Sequence, residues 1–149
     1  MGTNLDAAVA NGAARAYAKR PIPWVHHDAA NAGNPCINQL IGVAGFEGYG
    51  RFWRLVELLL QSETHAVPSS EEQGYRRFSI GLGFKDMGDF ESFISLLIDL
   101  ELIAIDGNGR RSIPIVDEAA LKVGMSAYNG AKGGKAAAAN RRKQARQLD

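Results

Sequence analysis

A single cysteine, Cys36, leaves no partner for an internal disulfide, and nothing marks an oxidising compartment. No apolar run approaches the roughly eighteen residues that a membrane span needs. The first twenty residues lack the continuous apolar stretch of a secretory leader. Paired metal-ligand spacings such as HExxH and CxxC are missing too. These absences lead us to expect a cytoplasmic protein that is not an enzyme and holds no cofactor or metal.

What is there has an ordinary globular composition, 46% hydrophobic and 22% charged. At 149 residues there is room for one domain with appended ends. The formal charge of +1 hides a strong polarity. Lys132, Lys135, Arg141, Arg142, Lys143 and Arg146 stand against Asp149 alone, a net of +5 over residues 132–149. Residues 1–20 contribute +2, which leaves −6 for residues 21–131. An acidic body therefore carries a basic end.

Residues 1–20 are Ala-, Gly- and Asn-rich, with weak helical tendency over 6–19 and few large apolar groups, and read as a flexible extension. Pro21 and Pro23 enforce an extended segment that Trp24 is expected to strap across the domain. Asn34 and Pro35 suit the cap and first position of a short helix with Ile37, Leu40 and Ile41 inward, closing near Gly42–Gly45. The strongest helical pattern runs from Glu47 to Gln61, with Phe52, Leu55, Val56 and Leu59 in one stripe. A brief strand at Ala66–Val67, a helix from Glu71 to about Leu82 capped by Ser70, and a turn over Gly81–Gly88 follow.

From Phe90 to Ile115 the pattern changes period. Phe90, Phe93, Ile94 and Leu97 make an apolar helical stripe within an expected helix over Asp89–Leu100. After Glu101 the apolar positions alternate through Leu102 and Ala104, cross Gly107-Asn108-Gly109, and resume at Ile113 and Ile115, predicting a hairpin over Leu102–Val116. A helix leading into a hairpin is the third helix and wing of a winged helix-turn-helix. The expected class is mostly α with a small β-hairpin: extension 1–20, winged-helix domain 21–128 with a last helix at Asp117–Tyr128, and a flexible basic tail 129–149, disordered or a frayed helix when unbound.

Several candidate sites can be weighed on chemistry. In an extended strap His26 and His27 point oppositely, so His27 and Asp28 are better suited to pinning backbone than to binding metal. Cys36 has no marked base that would make it a nucleophile. The glycines of "GFEGYGRF" do not have the phosphate-loop spacing. Gly45 suits a helix end, while Gly48 and Gly50 would permit a close crossing. "NGAKGGKA" has Asn129 and Ala136 where a Walker loop needs Gly and Ser/Thr, so it is no ATP site. At the wing tip Arg110 and Arg111 can meet phosphates, or be two solvated charges. The preceding helix is acidic, with Asp89, Glu91, Asp99 and Glu101 and no cation between Asp86 and Leu102, which disfavours a seat in the major groove. The tail cations suit an arm condensing onto phosphate, or a solubilising end.

Trp24, His27, Asp28, Asn31, Ala32, Ile37 and Leu40, followed by Gly45, Gly48, Tyr49, Gly50, Phe52, Trp53 and Glu57, form a pattern. It resembles the N-terminal domain of phage and prophage replisome organisers, relatives of the winged-helix N-termini of DnaD-type primosome proteins. The "AKGGKAAAANRRK" segment resembles the basic stretch that often follows that domain. The likeness covers most of Trp24–Lys143, with Gly33, Asn34 and Cys36 standing where charged residues are usual. It implies DNA binding in replication initiation, with His27, Asp28, Gly48, Tyr49 and Gly50 in structural roles and no catalytic residues. It also implies that the C-terminal domain of longer relatives is absent. The expected partners are DNA, through Arg110, Arg111, Lys132, Lys135, Arg141, Arg142, Lys143 and Arg146, and replication proteins or a second copy. The competing expectation is a protein-interaction adaptor or oligomeric module that does not touch DNA.

Overall fold

A computed structural model describes residues 11–146, with the Arg146 side chain left out. Residues 1–10 and 147–149, parts of the expected extension and tail, lie outside the described residues. The chain divides into two compact units: Pro21–Ala119, and Met1–Arg20 with Ala120–Asp149. The described residues are mostly helical, with one two-stranded antiparallel sheet among them.

In Pro21–Ala119 a 3₁₀ turn, Ala29–Gly33, leads to α1, Pro35–Gln61. The Asn34 side chain accepts from the Cys36 and Ile37 N–H groups at 2.9 and 3.3 Å, and Pro35 sits where no N–H partner is needed. At Gly45 (φ 64°, ψ −170°) α1 is not helical, so two helical arms meet at a backbone conformation that only glycine adopts readily. The expected helix end at Gly45 is therefore present as a break within one element. Ile37, Leu40, Phe52, Leu55, Val56, Leu59 and Leu60 are buried from α1.

Next come α2, Gln73–Gly81, and α3, Met87–Asp99. The expected Ser70 cap is corrected: α2 starts at Gln73 behind Glu72, which makes no side-chain cap. Glu72 instead accepts from the Ser69 N–H and hydroxyl, both at 2.9 Å. At its other end Gly83 (φ 76°) donates to Ile80 O at 2.9 Å and Phe84 N–H to Ser79 O at 3.0 Å, the paired bonds of a Schellman stop. α3 begins two residues before the expected Asp89, because Asp86 accepts from the Asp89 N–H at 3.2 Å. Its end repeats the Schellman pattern with Glu101 (φ 58°) in the left-handed position that glycine usually fills.

The hairpin is shorter than expected: β1 is Ala104–Ile105 and β2 Arg111–Ser112, with Ala104 opposite Ser112 and Ile105 opposite Arg111. Ile115 belongs to a helix, because Pro114 opens α4, Pro114–Arg146. Nor does burial alternate, since Leu102 and Ile103 are both buried while Ala104 and Ile105 are both exposed. The expected strand near Val67 is a single antiparallel bridge to Arg111, closed by Val67 N–H to Arg111 O at 2.9 Å.

Between α2 and α3 an aromatic cluster forms, with Phe90 4.8 Å from Tyr75 and 5.7 Å from Phe84, ring to ring. Arg51 ties this corner to α1: its guanidinium lies 4.1 Å over the Phe84 ring and its Nε–H donates to Leu82 O at 3.1 Å. Of the expected core, Ile37, Leu40, Phe52, Leu55, Leu59, Phe90, Phe93, Ile94 and Leu97 are buried. Each fully buried side chain of this size is worth about 1.5–3 kcal/mol before entropy. Ile41 is only half-buried and Trp24 is 73% exposed, so both expectations are corrected. The strap is held by its neighbour Ile22, which is buried and donates its N–H to Leu60 O at 2.8 Å.

In the other unit the described parts of the expected extension and tail are mostly helical. Residues 11–17 are helical, and α4 continues unbroken to Arg146 instead of stopping near Tyr128. Ala14, Ala18 and Ala120 are buried. A Cβ on Gly124 would lie 1.8 Å from Ala14 O, so the backbones meet where α4 has no side chain. Tyr17 and Tyr128 pack edge to face at 5.9 Å. Small residues, read in the sequence as too few apolar groups to pack, are what permit this close approach.

Candidate nucleic-acid interface

The β1–β2 hairpin does not offer two free arginines. The Arg110 guanidinium pairs with Asp117 at 2.8 Å, both about one-fifth exposed, and donates to Thr64 O at 3.0 Å and His65 O at 3.4 Å. Arg111 donates to Pro68 O and lies 5.8 Å from the Tyr75 ring centre. Asp106 shapes the hairpin tip by accepting from the Asn108 and Arg110 N–H groups, both at 2.9 Å. The expectation of two exposed arginines at the tip is thus corrected: both are folded back onto the segment after α1 and fasten the hairpin to it. Burial raises the Tyr75 phenol's pKa, with the Glu91 charge adding to the shift. The Ser69 backbone hydrogen bond, more than the Ser69 hydroxyl, lowers that of Glu72.

α3 presents the acidic surface read from the sequence. Asp89, Glu91 and Asp99 are exposed, as is Glu101 just beyond it, while Phe90, Phe93, Ile94 and Leu97 are buried. Arg76, Arg77 and Lys85, the cations nearest in sequence, are exposed on α2 and its following turn. A helix with this outer face approaches a phosphate lattice at an electrostatic cost.

The cations of α4 are placed differently. Lys132, Lys135, Arg141, Arg142 and Lys143 are all exposed on one continuous helix, and none makes a salt bridge with a described carboxylate. At about 100° per residue, Lys132, Lys135, Arg142 and Lys143 fall within an arc of about 100°. They span eleven residue steps, about 16 Å along the axis. Arg141, Arg142 and Lys143 also suit the negative end of the helix dipole. The side chain of Arg146, the sixth expected contact, lies outside the described residues.

The remaining candidates are structural in placement. Asp28 accepts from the Ala30 N–H at 2.9 Å and caps the 3₁₀ turn. His27 is exposed and stacks on Trp53, ring centres 4.0 Å apart. Tyr49 meets Trp53 edge-on at 6.4 Å. Gly48 is buried, and a Cβ there would come within 2.3 Å of the Ala44 Cβ, as a close approach requires. Gly50 is exposed with open space around it, so its expected role in a crossing is corrected. Among the described residues no three His, Cys, Asp or Glu groups come together as metal ligands. No described helix is long and apolar enough to cross a membrane.

Of the two readings of the basic end, a disordered segment or a frayed helix, the structure has a helix. Its signal was Ala136–Ala139, the best helix former four times over, set among Lys, Arg and Gln. Comparison with known families, characterised proteins and solved structures found no match for the chain.

Proposed function

We propose that this is a non-enzymatic DNA-binding protein of phage or mobile-element origin that acts in replication initiation. In this reading Pro21–Ala119 is a winged-helix domain of the replisome-organiser kind. The chain holds DNA through phosphates contacted by Lys132, Lys135, Arg141, Arg142 and Lys143. The observation that carries the proposal is the set of five exposed cations on one helix, free of salt bridges to the described carboxylates. The order α1, Val67 bridge, α2, α3, β1, β2 supports the winged-helix reading, with Val67, β2 and β1 side by side. The likeness of the Trp24–Glu57 pattern to replisome organisers supports the biological setting. Arg110 and Arg111 leave the contact set, because their guanidiniums fasten the wing.

The test replaces those five cations by Gln in the full chain, which keeps helix propensity nearly unchanged. Generic duplex DNA should bind the native protein and not the variant. Equal affinity of the two would remove the proposal. The second reading, a protein-interaction module, is favoured by the exposed acidic face of α3 and by exposed Phe46, Val43 and Ile80. Self-association on gel filtration that survives high salt, with no shift on adding DNA, would select it.

A further inference from the structure

We infer that the basic half of α4 seats as a formed helix in the major groove of B-form duplex DNA, instead of condensing on phosphates as a flexible arm. The inference rests on the DNA-binding reading above and narrows its ligand. Residues 129–146 hold no aromatic residue and no aliphatic one larger than Ala. Proteins that track single strands use aromatic platforms for the bases, and this helix has none.

Its cross-section fits a duplex. A helix is about 10–12 Å across with its side chains, and the B-form major groove is about 12 Å wide. Around the helix, Arg141 stands on one side and Lys135 with Arg142 on the other, about 100° to 120° away. Only Ala131, Gly134, Ala138 and Ala145 come between them, so the surface between the cations carries nothing larger than a methyl group. Such a face can approach the groove floor while the cations reach phosphates on both walls. The roughly 16 Å from Lys132 to Lys143 matches about five base pairs of axial rise. The A-form groove of duplex RNA is deep and narrow and does not admit a helix in this way.

The experiment measures binding of the full chain, by fluorescence anisotropy at fixed salt, to three 20-nucleotide probes: mixed-sequence duplex DNA, oligo-dT and duplex RNA. Duplex DNA should bind at least tenfold tighter than either of the others. The variant Ala138→Pro keeps every cation and breaks the helix in a stretch that is exposed throughout. It should lose at least tenfold affinity for duplex DNA and keep its weaker affinity for oligo-dT. Dimethyl sulfate footprinting with the native chain should protect guanine N7, in the major groove, and leave adenine N3, in the minor groove, reactive. Equal affinity for the three probes, undiminished duplex binding by Ala138→Pro, or protection confined to adenine N3 would overturn the groove assignment and leave phosphate binding standing. Absence of any DNA binding by the native chain would overturn both.

Discussion

α3 and the basic half of α4 both turn charged side chains to solvent, and they are opposites in almost every other respect. α3 sinks Phe90, Phe93, Ile94 and Leu97 into the body and turns carboxylates outward. Residues 132–145 of α4 are exposed at every position and carry cations among Ala and Gly. Burial holds the first; chain continuity and intrinsic propensity hold the second. The carboxylates of α3 are the wrong charge for a seat against phosphates. The exposed cations lie instead on the half of α4 that buries no side chain. Stability and ligand binding are therefore expected to be separable in this chain.

The strongest way to break that separation is Phe90→Ala. It removes a fully buried ring in contact with Tyr75 and Phe84 and should cost about 3–5 kcal/mol in chemical denaturation. Where the variant stays folded, its salt dependence of DNA binding should match that of the native chain. A changed slope would tie the core to the interface.

Gly124→Val comes next. The new side chain collides with Ala14 O and should cost about 1–3 kcal/mol of local stability, read as loss of amide-exchange protection over residues 11–18. Unaltered protection there would contradict the close packing of backbones.

Asp117→Ala strips the partly buried partner of Arg110 and should destabilise by about 1–3 kcal/mol. DNA affinity should not rise by more than about twofold, since Arg110 keeps its carbonyl partners Thr64 and His65. A large gain in affinity would return Arg110 to the phosphate contacts.

Glu101→Gly works in the opposite direction and is among the smaller effects. Releasing a left-handed residue from its Cβ should stabilise by about 1 kcal/mol, seen as a higher denaturation midpoint. No gain would mean that the Glu101 side chain offsets its backbone strain.

The parts of the fold legible in the sequence were those held by periodic burial. The stripes of α1 and α3, the Asn34–Pro35 start and the helix end at Gly45 follow from local chemistry, and the structure places them accordingly. Trp24 misled because size and apolarity argue for burial, whereas the strap needs only one anchor and Ile22 supplies it. The fates of Arg110 and Arg111 were not legible, because their carbonyl partners at Thr64, His65 and Pro68 lie more than forty residues away in the chain. The pairing of residues 11–18 with Gly124 was hidden for a related reason: the contact is made by the absence of side chains. For the basic end, low apolar content was weighed above propensity. Gly130, Gly133 and Gly134 each cost about 1 kcal/mol relative to Ala, and Ala136–Ala139 with the surrounding Lys, Arg and Gln favour the helix against them.

The most direct measurement is a salt titration of duplex-DNA affinity for the full chain beside the variant with Gln at 132, 135, 141, 142 and 143. Four to five phosphate contacts give the native protein a slope of log K against log salt of roughly −3.6 to −4.5, and the variant a slope near zero. Native and variant slopes that coincide would contradict the claim that α4 is where this chain meets DNA.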